Sequence, residues 1–324
     1  MARAPDPAVM PRKLRFQQGG AVYHVLNRGN YRADVFGTEG AKMAFLQCLD
    51  EACAKTGWVV HAWCLMSNHY HLALETPVAN LVEGMQWLQG TFATRFNRLR
   101  QERGHLFQGR YKSLLVDPVA GLGPLCHYIH LNPVRAKLCP AESLGAWPWT
   151  SLRWLLQPRQ RPKWYAAEEF LTQAGAFADS PAGRKKYLEY LAWLAADDPA
   201  RKAMQFERMS QGWILGSPGF KAAMAREHRQ AEAALARGDR TDQEVREAVR
   251  QERLDRLLKD AKKSRRDLPA GPKTAAWKVQ LAAKMKASTT ATNRWLAEQL
   301  HMGSRYEVSR RVAAVQRTTT NHKA

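Results

Sequence analysis

A chain of 324 residues leaves room for two or three domains, and 45% hydrophobic residues are enough to build real cores. Fifty Lys and Arg against 29 Asp and Glu leave a formal net charge of +21, spread as +6 over residues 1–150 and +15 over the rest. That balance points to polyanionic partners, nucleic acid first. No apolar run is long enough to span a bilayer, and the opening MARAPDPAVMPRKLRF lacks the apolar stretch of a signal peptide. Cys48, Cys53, Cys64, Cys126 and Cys139 form no CxxC pair, which fits reduced thiols and disfavours a Cys-rich zinc site. The expectation is a cytoplasmic, nucleoid-associated protein with no membrane partner.

In chain order, residues 1–20 read as a flexible basic lead-in with Pro5, Pro7 and Pro11. Ala21–Leu26 reads as a strand closed by a turn at Asn27–Asn30. Residues 40–56 place Met43, Phe45, Leu46, Leu49 and Cys53 at helical spacing, with Gly57 as the C-terminal cap. Trp58–Met66 and His69–Glu75 read as two strands joined by the two-residue turn Ser67-Asn68. Asn80–Arg100 reads as a long amphipathic helix with Leu81, Met85, Leu88, Phe92 and Phe96 on one side. A Gly-containing loop, a strand at Tyr111–Asp117 and a helix at Leu122–Leu131 follow. The order predicts an α+β fold, a ferredoxin-like βαββαβ unit with an antiparallel sheet and one added helix.

Within the third strand, His69 and His71 stand two apart and therefore share a face, while Tyr70, Leu72 and Leu74 fill the other. Two imidazoles on a rigid strand are half of a metal site, and alone are more simply read as strand residues. The segment Cys126-His-Tyr-Ile-His-Leu-Asn-Pro-Val-Arg135 changes that balance. Tyr128 and Asn132, four apart, are neighbours on one helix face. A tyrosine hydroxyl is a nucleophile for phosphoryl transfer, and a divalent cation assists by withdrawing charge from the phosphate. Asn132 can offer an amide oxygen as third ligand, or it can cap a helix starting at Pro133. His127 and His130 read more simply as partly buried histidines than as proton carriers.

Taken together, His69-Tyr70-His71, Gly104–Ser113 (GHLFQGRYKS) and Tyr128–Ala136 (YIHLNPVRA), with Tyr23–Asn30 (YHVLNRGN), resemble the REP-associated tyrosine transposases. These are single-tyrosine HUH transposases of the insertion-sequence type, and the resemblance covers about residues 20–155. It implies that His69, His71 and Asn132 bind Mg²⁺ or Mn²⁺. It further implies that Tyr128 attacks a phosphate of hairpin single-stranded DNA, forming a 5′-phosphotyrosine link and releasing a 3′-hydroxyl, with the histidine pair counted among the catalytic residues. A basic, aromatic surround suits single-stranded DNA, and Arg28, Asn30, Arg32, Arg110 and Lys112 are the candidates for it. The oligomeric state is expected to be monomer or homodimer.

Beyond residue 155 the composition changes. Gln157–Pro162 reads as a linker and residues 164–258 as helical, so 156–270 is expected to be a helical extension following a 21–155 transposase domain. Thr292–Leu300, a turn at His301–Ser304 and Arg305–Val312, preceded by a helix at Thr274–Lys286, match the helix-turn-helix pattern. That gives a DNA-binding domain over 271–317 and a tail over 318–324. Leu296, Leu300, Val308 and Val312 would form its core, and Arg305, Tyr306, Ser309 and Arg310 would face the major groove. The competing readings are a non-catalytic, domesticated regulator using this helix-turn-helix, and an RNA-binding module. The second is weaker, because such sheets expose aromatic residues where this one presents histidines.

Overall fold

The computed structural model describes residues 17–236, 242–289 and 291–321. The lead-in up to residue 16 and the tail from residue 322 lie outside the described residues. The first half runs β1 (Ala21–Arg28), α1 (Glu39–Thr56), β2 (Val59–Leu65), β3 (His69–Thr76), α2 (Leu81–Arg100), β4 (Lys112–Val116), α3 (Leu122–His130) and α4 (Asn132–Arg135). The strands form one sheet in the order β2-β3-β1-β4-β5. The first four pair antiparallel, which is the strand order of a ferredoxin-like unit. A short β5 (Ile214–Leu215) adds to β4 in parallel.

Local chemistry explains the elements. Thr38 opens α1 by accepting from the Ala41 backbone N–H at 3.2 Å, and Gly57 ends it at φ 69°. The β2–β3 hairpin closes at Ser67-Asn68, where Met66 N–H donates to the His69 carbonyl at 2.9 Å. On the face covered by α1 and α2, Tyr70 packs on Phe45 with ring centres 4.8 Å apart, and its hydroxyl accepts from Gln89 Nε2 at 2.8 Å. Tyr70 is thus a core residue with its polar end satisfied. Phe45, Leu46, Leu49 and Cys53 are buried as expected, but Met43 is exposed.

The second half holds α5 (Leu152–Leu156), α6 (Glu168–Gly175), α7 (Pro181–Ala196), α8 (Asp198–Ala203), β5, α9 (Pro218–Ala236), α10 (Asp242–Asp260), α11 (Asp267–Ala270), α12 (Ala276–Ser288), α13 (Asn293–Gln299) and α14 (Arg305–Asn321). The Pro-bearing stretch read as a linker is held in place: Arg161 donates to the Trp154 and Leu155 carbonyls and pairs with Asp179. One apolar core extends from Ala21 to Met224, and a second joins residues Leu254 to Val312. Leu296, Leu300, Val308 and Val312 are buried in the second core, and Gly303 turns the chain between α13 and α14 at φ 85°.

Candidate active site

Sheet register builds the site. Leu26 on β1 stands opposite both His71 on β3 and Lys112 on β4, and Arg28 stands opposite His69. Directly opposed residues share a face, so His71, Leu26, Lys112 and, two residues before Leu26, His24 all point away from α1 and α2. Helix α3 crosses that face and brings the Tyr128 ring centre to 5.5 Å from His71 and 5.8 Å from His24. A pocket of about 500 Å³ is lined by His69, His71, Tyr128 and Asn132 together with Arg28, Arg110, Lys112 and Arg135. The four residues expected to do chemistry are therefore brought together in one chain. Of the five expected DNA contacts, Arg28, Arg110 and Lys112 line the pocket. Asn30 and Arg32 sit outside it, in the helical turn after β1.

Hydrogen bonds set the donor atoms. The Met209 carbonyl lies 2.7 Å from His24 Nδ1 and only accepts, so that nitrogen carries the proton. His24 is buried, and burial lowers its pKa to about 4, so the ring is neutral and Nε2 keeps its lone pair. His71 Nδ1, 2.8 Å away, must then donate to it. Burial first, then the neighbouring His24, holds His71 well below its usual pKa. It is neutral too, and its Nε2 lone pair is free for the pocket. On His69, Nδ1 donates to Asn68 Oδ1 at 2.7 Å, and burial lowers its pKa to about 4, leaving its Nε2 in the same state. Asn132 is buried and does not cap α4. Its Nδ2 donates to the Tyr128 and Ile129 carbonyls at 3.0 and 3.4 Å, so the oxygen is the atom left to the pocket. Two imidazole nitrogens and an amide oxygen form a neutral donor set suited to a divalent cation.

Three residues around Tyr128 were not singled out in the sequence reading. Arg135 lies 4.6 Å over the Tyr128 ring; it follows Asn132 by three positions, a helical spacing that would have found it. Ser210 shares a 3.0 Å hydrogen bond with the Tyr128 hydroxyl, and its carbonyl accepts from Lys112 Nζ at 2.6 Å. The third is His24. His127 and His130 are not proton carriers for Tyr128: both meet the Tyr187 hydroxyl, at 3.2 and 3.0 Å, and His130 also meets Ser151.

A second donor group, His61, Glu75 and Glu169, is buried on the same side of the sheet, with ligand atoms within 4.8 Å of one another. Its carboxylates already have cationic and amide partners. Glu75 bonds His61 at 3.2 Å and Arg305 at 2.6 Å. Glu169 accepts from Asn293 at 2.7 Å, and buried Lys286 lies close enough to feel its charge. This group reads as an ion-pair network joining the two cores. It also departs from the expected groove-facing row on α14. Arg305 is turned inward to Glu75 and bonds the Tyr306 hydroxyl at 2.7 Å, and Ser309 is buried. Only Arg310 is exposed, paired with Glu307. The apolar side of α14 that fills the second core also presses its first turn onto the sheet domain.

Residues 18–132 match the family model described as "Transposase IS200 like". A search of curated proteins returns no match. Among solved structures, one of a REP-associated tyrosine transposase bound to a REP hairpin aligns at 15% identity, over 49% of this chain and 92% of that one, with a TM-score of 0.39. At that score the fold assignment rests on this chain's own strand order. Across residues 18–132, then, this chain is similar to the IS200-like transposases, as its motifs implied.

Proposed function

We propose that the chain is a metal-dependent tyrosine transposase that cleaves and rejoins single-stranded DNA. The observation that carries this reading is that His69, His71, Asn132 and Tyr128 line one basic pocket. Among described residues, His69 Nε2, His71 Nε2 and Asn132 Oδ1 would hold Mg²⁺ or Mn²⁺. Bound there, the cation supplies charge withdrawal from the non-bridging phosphate oxygens.

This chain's own residues do the rest. Tyr128 Oη attacks phosphorus and gives up its proton to solvent, an Oη–P bond forms as the P–O3′ bond breaks, and the leaving 3′-oxygen takes up a proton from solvent in return. The 5′-phosphotyrosine keeps the bond energy, so rejoining reverses the step with a 3′-hydroxyl as nucleophile. Arg135 over the ring and Arg28, Arg110 and Lys112 around the pocket stabilise phosphate charge. The substrate class we propose is a single-stranded hairpin, the kind of DNA bound in the solved structure of a REP-associated tyrosine transposase.

The test is a labelled single-stranded hairpin oligonucleotide drawn from repeats flanking the gene, incubated with protein and Mn²⁺. A denaturation-resistant protein–DNA adduct is expected from the wild type and none from Tyr128→Phe. Equal adduct from both, or no adduct with any flanking repeat, contradicts the reading.

A further inference from the structure

The pocket is completed by a segment far outside residues 18–132. We propose that Met209 and Ser210 are positioning elements of the active site, Ser210 holding the Tyr128 hydroxyl and the Met209 carbonyl setting His71 through His24. This rests on the DNA-cleavage reading and adds to it a strap supplied by the helical extension.

The strap is anchored at both ends of its short run. Phe206 is buried and stands edge-on to the Tyr128 ring at 5.7 Å. Downstream, Trp213 and Leu215 carbonyls accept from the Leu115 and Asp117 backbone N–H groups at 2.8 and 2.7 Å, adding β5 to the sheet. Between these anchors, two consecutive residues make three bonds into the site: Met209 carbonyl to His24, Ser210 hydroxyl to Tyr128, and Ser210 carbonyl to Lys112. The first propagates. Because a carbonyl only accepts, it orders the protons along His24 and His71 and leaves His71 Nε2 facing the pocket. The second removes a rotational freedom: with its oxygen tethered, the Tyr128 ring is held edge-on to His71 and His24. Ser210 touches the nucleophile's resting state and takes no part in bond making.

Two measurements test this, one without DNA. In the NMR spectrum of ring-labelled protein, the Tyr128 signals, assigned with Tyr128→Phe, are expected to shift and broaden in Ser210→Ala and to return in Ser210→Thr. Histidine ¹⁵N shifts of the wild type are expected to show His71 as the Nδ1–H tautomer. Unchanged Tyr128 signals in Ser210→Ala, or an Nε2–H tautomer at His71, overturn the proposal whether or not the protein cleaves DNA. In the cleavage assay, Ser210→Ala is expected to lower kcat on the order of tenfold or more with KM unchanged, and Ser210→Thr to recover most of it. A wild-type kcat in Ser210→Ala overturns the role for Ser210, while absence of cleavage by the wild type overturns only the function it serves.

Discussion

At the scale of the residue, the donor set is a consequence of neighbours more than of the side chains themselves. An exposed His69-His71 pair would titrate near 6.5; burial and a bonded Nδ1 keep both neutral with Nε2 available. Asn132→Ala removes the proposed third donor, and Mn²⁺ affinity measured by calorimetry is expected to fall about tenfold or more. A pH dependence belongs to this scale as well. Burial lowers His127 and His130 to about 3 from 6.5. Between those values the unfolded chain binds more protons than the folded one, so stability rises with pH across that window. Urea midpoints are therefore expected to drop as the solution is acidified from about pH 6.5 toward 3, and the drop should shrink in Tyr187-preserving His127→Gln. The histidine pair, and Tyr128 with Asn132, were each legible as local spacings, and their joining into one site was what the family resemblance implied. His24 and Ser210 were not: His24 joins the site only once β1 is registered against β3, and Ser210 only once β5 is laid on β4.

Elements obey the same division between local and long-range information. The helices and the hairpin could be read from caps, periodicity and the Ser67-Asn68 turn, since each is decided within a few residues. The role of α14 could not, because Arg305 and Ser309 look the same in a sequence whether they meet DNA or a carboxylate 230 positions earlier. Close packing between elements gives a direct test of the fold. A Cβ on Gly84 of α2 would lie 2.1 Å from the Trp58 ring, and Trp58 is fixed by its bond to Asn80 at 2.9 Å. Gly84→Ala is expected to destabilise by about 1–3 kcal/mol through overpacking, visible as a lower midpoint in urea with unchanged slope. A neutral result would mean that α2 does not pass Trp58 as closely as described.

For the molecule as a whole, two cores meet at a buried ionic contact, and the unit expected to read duplex DNA is docked by the turn that would read it. The Glu75–Arg305 pair is mostly buried, so removing Arg305 takes from the buried Glu75 its guanidinium partner and leaves it with His61. Arg305→Ala is expected to cost about 2 kcal/mol, and Glu75→Gln combined with it less than the sum of the two, as a double-mutant cycle would report. Strict additivity would indicate that the two cores do not touch there. The strongly basic composition was legible as a nucleic-acid signal; where that charge acts was not, because charge counts carry no geometry.

The central claim is that Tyr128, beside His69 and His71, becomes covalently bound to DNA. The most direct measurement is tandem mass spectrometry of the adduct formed with a single-stranded hairpin and Mn²⁺, after nuclease trimming and proteolysis. The account predicts a nucleotide phosphate on the Tyr128 hydroxyl, formed by the wild type and lost in His71→Ala while hairpin binding persists. A phosphate on any other residue, or an undiminished Tyr128 adduct in His71→Ala, would contradict it.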